Sequence, residues 1–307
     1  MCGPSRRTVL KTLAGSAASL AGLGGYAFAV APGFRLRVRR YAPDPAGWPQ
    51  DFPLTIAALA DIHVGEPHMP LDRVAAIVEA TNALRPDLVV LLGDYAGTDR
   101  VSRTPLTWSD VIPKLSALRA PLGTFAILGN HEWWDDPVAQ KLKRGPTLAH
   151  KALAASAIPL LENDAVRLDK GGRGFWLLGL GDQIAFVRGR RRYDGTDDLP
   201  GTLAKLTDDA PAILLAHEPD IFPEVPARVS LTLSGHTHGG QVRLFGWSPV
   251  VPSAYGNRYA YGHVVEGGRH LIVSGGLGTV SAGLAPVRLG VPPEIVLVEL
   301  GGRSAPT

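Results

Sequence analysis

Cysteine is almost absent from this 307-residue chain, occurring only as Cys2. Disulfides and thiolate metal sites are thereby excluded, so any metal must be held by His, Asp, Glu or Asn. Acidic residues are missing from residues 1–40, which carry seven Lys/Arg (Arg6, Arg7, Lys11, Arg35, Arg37, Arg39 and Arg40). Removing those seven from the total of 31 leaves 24 basic against 28 acidic residues, a body of about −4. The sequence pI near 9.1 therefore reflects a basic tail on a mildly acidic body. That points to export or a membrane surface, and nucleic acid is not an expected partner. Internal repeats and low-complexity tracts are also lacking. What is present, 45% hydrophobic residues with 36 glycines and 26 prolines, suffices for one large core or two modest ones.

The N-terminus reads SRRTVLKTLAGSAASLAGLGGYAFAVAPGF. Arg6-Arg7, followed by an uncharged stretch over 12–34, resembles a twin-arginine (Tat) export signal, which implies the Tat machinery as a partner. The stretch is long enough to span a bilayer, so signal peptide and membrane anchor are both open readings. Ala27-Phe28-Ala29 is a weak cleavage site, and the lack of a following cysteine excludes a lipoprotein anchor. FRLRVRRY then alternates Arg with apolar residues, as an edge strand facing water or anionic lipid would. The expected organisation is a signal or anchor over 1–34 and an edge strand with Pro-rich connector over 35–53. The folded body follows over 54–300, with a disordered tail over 301–307. The expected location is beyond the cytoplasmic membrane.

Five short apolar runs end in polar residues. LTIAALA leads to Asp61 and His63, DLVVLL to Asp94, and TFAIL to Asn130, His131 and Glu132. AILLA leads to His217, and VSLTLS to His236 and His238. Each run has the length and composition of a buried strand. Helical patterns over 71–84, 111–118 and 138–155 separate most of them, giving an α/β fold. Ligands gather beyond the carboxyl ends of strands in such sheets. A lone His217 is more often a core residue, Asp61 could cap a helix, and Asn130 could serve a turn. Together they form a set of imidazoles, carboxylates and one amide suited to Mn, Fe or Zn, and seven ligands suit two ions better than one.

Asp-x-His, Gly-Asp, Gly-Asn-His-Glu, a lone His and Gly-His-x-His, in that order, resemble the calcineurin-like metallophosphoesterase superfamily, and with the leader its bacterial exported phosphodiesterase branch. The resemblance covers about residues 54–245. It implies a four-layer α-β-β-α sandwich of two mixed sheets flanked by helices. It further implies two divalent ions: Asp61, His63 and His238 on the first, Asn130, His217 and His236 on the second, and Asp94 bridging. His131 would touch the substrate, and a bridging hydroxide would attack phosphorus. The implied substrate is a phosphodiester or pyrophosphate of the envelope or its lipids. A phosphomonoesterase and a non-catalytic binding module of the same fold are the alternatives. The second usually lacks a ligand or the substrate-contacting His, and here every such position is filled.

Two departures from the resemblance stand out. An acid common three residues after the bridging Asp is replaced by Gly97, and Tyr95 has the wrong spacing for an iron–tyrosinate phosphatase. Glu132 is expected to support the site, Asp135 and Asp136 to open the next helix, and His68 to be a solvated loop residue. Arg188, Arg190, Arg191 and Arg192 form the one basic cluster of the body, either solvated or gripping a substrate phosphate. The glycine-rich stretch 274–286 has no Lys-Ser/Thr ending, so it is no nucleotide loop. It is expected to pass close to the metal rim.

Overall fold

Along Leu54–Leu59 the side chains alternate between two apolar environments. Ile56 and Ala58 face one core, and Ala57 and Leu59 face another. A strand buried on both faces needs a layer on each side, and that requirement sets the architecture. The computed structural model describes residues 5–96, 106–190, 192–280 and 287–302. Gly97, Arg191 and 281–286 lie outside the described residues, as do 303–307 of the expected tail.

The strands are β1 (Arg37–Tyr41), β2 (Leu54–Leu59), β3 (Leu88–Leu91), β4 (Thr124–Ala126), β5 (Asp164–Lys170), β6 (Arg173–Gly179), β7 (Phe186–Gly189), β8 (Arg192–Asp194), β9 (Ala212–Leu215), β10 (Leu231–Ser234), β11 (Gly262–Glu266), β12 (Arg269–Val273) and β13 (Glu294–Leu300). One sheet has the order β1-β13-β2-β3-β4 and the other β11-β12-β10-β9-β6-β5, while β7 and β8 form a separate hairpin. In the first sheet β2, β3 and β4 run parallel and β13 antiparallel to β2. In the second β6, β9, β10 and β12 run parallel. Both sheets are mixed, as expected.

The sheets meet face to face through Ile56, Val90, Phe175, Ile213, Leu233 and Ile272. Each fully buried aliphatic of this kind contributes roughly 1.5–3 kcal/mol, so the strand ends rest on a rigid base. The outer face of the first sheet carries the helices α3 (Leu71–Ala83), α4 (Trp108–Leu115) and α7 (Leu148–Ala154). The outer face of the second is covered more thinly, by α8 (Leu199–Leu203) and a 3₁₀ turn over Pro219–Glu224.

Helix α3 buries Val74, Ile77, Val78 and Thr81, the stripe its sequence period implies. Helix α4 starts earlier than its apolar period suggests, because Thr107 and Asp110 form a capping box. Beyond the short α5 (Asn130–Trp134), the helix expected over 138–155 is broken into α6 (Pro137–Leu142) and α7. Lys143 turns left-handed at φ 53°, and Gly145-Pro146 cannot continue a helix.

Ahead of this body, α1 (Arg6–Gly25), a π-helical turn (Tyr26–Val30) and α2 (Ala31–Phe34) run continuously. Only the end of this helix docks, burying Ala27, Ala31 and Pro32. His68 Nε2 lies 3.0 Å from Phe28 O, and Arg73 Nη2 donates to Arg35 O at 2.8 Å. His68 thus holds the helix end and is not a free loop residue. The Pro-rich run after β1 contributes to the inter-sheet core. Trp48 and Phe52 are buried and stacked at 5.2 Å.

Candidate metal centre

The carboxyl ends of β2, β3, β4, β9 and β10 share one rim, and main-chain hydrogen bonds tie their loops together. Asp61 N donates to Gly93 O (3.1 Å), His63 N to Asp94 O (3.0 Å) and Gly235 N to His217 O (3.0 Å). Ten non-glycine residues among those described take positive φ, and five of them are Asp61, His63, Asp94, His236 and His238. Side chains are held in that left-handed region at a cost, typically where function fixes the geometry.

All eight expected residues converge on this rim. Asp94 Oδ2 lies 3.4 Å from His63 Nε2 and 3.2 Å from His217 Nε2. On one side, His238 Nε2 is 3.1 Å from His63 Nε2 and 3.6 Å from Asp61 Oδ1. On the other, His236 Nδ1 is 2.8 Å from Asn130 Oδ1. His131 N donates to Asp94 Oδ1 at 2.9 Å. Three groups offer ligand atoms within 4.8 Å of one another: Asp61, His63 and His238; His63, Asp94 and His131; and Asp94, His217 and His236.

Glycine makes this closeness sterically feasible. A Cβ on Gly129 would stand 2.7 Å from His217 Cε1, and one on Gly235 would stand 2.7 Å from Asp61 Oδ2. The described part of the glycine-rich stretch, 274–280, passes against the rim, since a Cβ on Gly276 would stand 2.8 Å from Asp61 Cβ. Glu132 then locks two loops. Its Oε2 accepts from Asp94 N and Gly129 N, both at 2.8 Å, and its Oε1 from Tyr95 N and Trp108 Nε1, both at 2.9 Å.

The residues fit divalent cations. Asp61 Oδ2 is buried without a hydrogen-bond partner, and His217 Nε2 faces the Asp94 carboxylate at 3.2 Å. The His217 Nδ1 hydrogen is engaged by Leu92 O at 2.6 Å, which leaves Nε2 free to ligate. Burial pushes the Asp61 carboxyl up to about 7 and the His63 imidazole down to about 3. Burial also opposes charge on His131, but Asp94 and Asp135 reverse this and raise it to about 9. Asp94 likewise overrides burial at His217 and holds that imidazole well above its usual range, so a divalent ion binding there would displace a proton.

A family model described as calcineurin-like phosphoesterase matches residues 54–240. The chain belongs to this family. As a calcineurin-like phosphoesterase it is 30% identical to the uncharacterized metallophosphoesterase YkuE of Bacillus subtilis, with 96% of this chain and 97% of that one covered. It is 32% identical to the phosphodiesterase YaeI of Escherichia coli, covering 96% and 99%. The transmembrane protein with metallophosphoesterase domain of Bos taurus is 31% identical over 79% of this chain and 52% of its own. Among solved structures, a dimetal phosphatase of Danio rerio aligns with TM-score 0.41 at 14% identity over 73% of this chain and 88% of that one. Family membership makes the chain a metal-dependent phosphoester hydrolase by class.

Four residues of this phosphoesterase's site were not anticipated. Asp135 does not open the next helix, a role that falls to Asp136, whose side chain accepts from Val138 N and Ala139 N. Instead Asp135 Oδ2 lies 2.8 Å from His131 Nδ1. Glu218 Oε1 is 3.9 Å from His236 Nδ1. Burial and then Glu218 hold the carboxyl of Asp182 well above the usual carboxylate range. Asp182 follows β6 in the sequence, so the strand-end rule could have found it. Arg288 is fully buried, and its Nη2 lies 3.2 Å from His238 Nδ1; no motif marks it.

Proposed function

We propose that the chain is a dinuclear-metal phosphodiesterase acting beyond the cytoplasmic membrane. The observation carrying this reading is Asp94, whose one carboxylate oxygen lies 3.4 Å from His63 Nε2 and 3.2 Å from His217 Nε2. Asp61, His63 and His238 would hold one ion, Asn130, His217 and His236 the other, and Asp94 both. Bound there, Mn, Fe or Zn would supply Lewis acidity to the phosphate oxygens and acidify water.

The chain's own part is orientation and proton delivery. His131 would present Nε2 to the leaving oxygen while Nδ1 stays engaged with Asp135. A diester substrate is supported by the likeness to the phosphodiesterase YaeI along nearly the whole of both chains. An envelope or lipid phosphodiester or pyrophosphate is favoured by the leader. Arg6-Arg7 open a helix over 6–34 long and apolar enough to cross a membrane, and some relatives are transmembrane proteins. Residues 1–34 would be signal or anchor, with 54–300 as the catalytic body.

A chromogenic diester and its monoester product, assayed with Mn²⁺ on protein of measured metal content, test this reading. Cleavage of the diester with slow turnover of the monoester is expected. A clear preference for the monoester would overturn the diester assignment.

A further inference from the structure

The hairpin that follows His238 is built against its own backbone preference. Leu244 and Trp247 exchange both main-chain hydrogen bonds, at 2.9 and 3.0 Å, closing a two-residue turn on Phe245 and Gly246. Both turn residues take positive φ, 52° and 80°. Such turns favour Asn-Gly or Gly-Gly, because a side chain crowds the backbone there. Phe245 incurs that strain with no packing to offset it. It is 107% exposed, beside Leu244 at 49%, Trp247 at 59% and Val250 at 68%. A contiguous apolar tip of this kind marks a contact with something outside the chain.

The tip's neighbours indicate what that is. Arg243 N donates to Leu289 O at 2.8 Å, and Arg288 N donates to Ala27 O at 2.9 Å. The hairpin and the end of the N-terminal helix thus leave the body side by side, held by one short stretch. That helix is long and apolar enough to cross a membrane, and almost none of its most apolar part is buried. Exposed Arg35, Arg37 and Arg40 follow it, and Arg243 lies at the root of the hairpin, 5.8 Å over the Tyr261 ring. An aromatic tip with arginines at its base is the chemistry of a lipid headgroup boundary.

We propose that the Leu244–Val250 hairpin is a second membrane contact, inserting Phe245 and Trp247 into the bilayer beside the N-terminal helix. The candidate metal centre would then lie directly behind the lipid surface, since Arg288 of the shared stretch reaches His238. The contact concerns where the chain sits and not what it hydrolyses, so it stands or falls apart from the phosphodiesterase reading.

Of the six tryptophans only Trp247 is exposed, and the N-terminal helix has none. Quenching of tryptophan emission by lipid-borne bromine or aqueous iodide therefore reports mainly on the hairpin. The full chain would be reconstituted in phosphatidylglycerol/phosphatidylcholine vesicles with brominated acyl chains. Bromine quenching is expected, and Trp247→Phe should remove more than half of it. Phe245→Asn, which suits the turn, should keep the melting temperature yet reduce the quenching severalfold. Trp247 emission open to aqueous iodide and untouched by brominated lipid would overturn the proposal. Shielding from both quenchers would also overturn it, by showing that protein covers the tip.

Discussion

The carboxylate of Asp135 sits 2.8 Å from Nδ1 of His131, four residues earlier on the same turn of chain. The pair fixes the imidazole's orientation from within a single loop and leaves Nε2 to act on substrate in the proposed reaction. His131→Ala should retain fold and metal and lose roughly 10²–10⁴ in turnover. Asp135→Asn should lose about 10–100-fold, the usual worth of a group that orients a working histidine. Metal analysis beside kinetics checks both, and loss of metal from His131→Ala would make His131 a ligand.

Asp94 carries the heaviest demand in the cluster, because both sides of it depend on one carboxylate. Asp94→Ala should therefore lose both ions, whereas His238→Ala should weaken mainly the site it shares with Asp61 and His63. Elemental analysis of the two purified variants decides. Two full equivalents of metal in Asp94→Ala would be incompatible with a shared ligand.

Glu132 acts on stability more than on chemistry. Its four N–H donors come from two loops and from Trp108, all buried. Glu132→Gln keeps the shape but turns an amide N–H₂ toward N–H donors. A loss on the order of 3 kcal/mol or more is expected, since each buried donor left unpaired costs about 1–3 kcal/mol. Thermal unfolding should show this as a fall of several degrees, and an unchanged midpoint would count against the locking role.

The strands and the eight rim residues were legible because both follow short-range rules. A buried strand is an apolar run, and a ligand is a polar residue where the run stops. Asp135 escaped because an acid before a helix reads equally well as a cap, and only the fold shows which acid caps. Arg288 escaped for a stronger reason. It lies 50 residues from His238, and its burial depends on three carbonyls, Gly275, Gly278 and Val291, that no local pattern announces. Trp48 and Phe52 escaped because prolines around them read as a linker. Prolines fix backbone without preventing aromatics between them from packing.

The leader carries a prediction independent of the site. If Arg6-Arg7 are read by the Tat route, replacing both with lysine keeps the charge and removes the recognised pair. The double variant should accumulate in the cytoplasm while folding and binding metal normally. Fractionation of cells producing it provides the measurement, and undisturbed export would reject the signal.

The β7–β8 hairpin supplies the last expectation. Tyr193 stacks on Trp134 at 5.4 Å and 14°, and Trp134 lies 5.7 Å from His131. The hairpin is therefore anchored beside the proposed catalytic histidine through Tyr193, with Arg188, Arg190 and Arg192 exposed on it. Arg188 is paired with Asp194, whereas Arg192 adjoins Tyr193 and has no ion pair among the described residues, so it is the arginine to test for a phosphate contact. Arg192→Ala should raise KM for a diester about two- to fivefold with kcat little changed, the scale of an exposed charge contact. Tyr193→Ala should have a larger effect, because it also frees the Trp134 ring beside His131. Arg188→Ala should loosen the hairpin without a specific KM signature. If Arg192→Ala and Arg188→Ala behave alike, the arginines serve the hairpin's own stability, and substrate recognition must come from elsewhere on the rim.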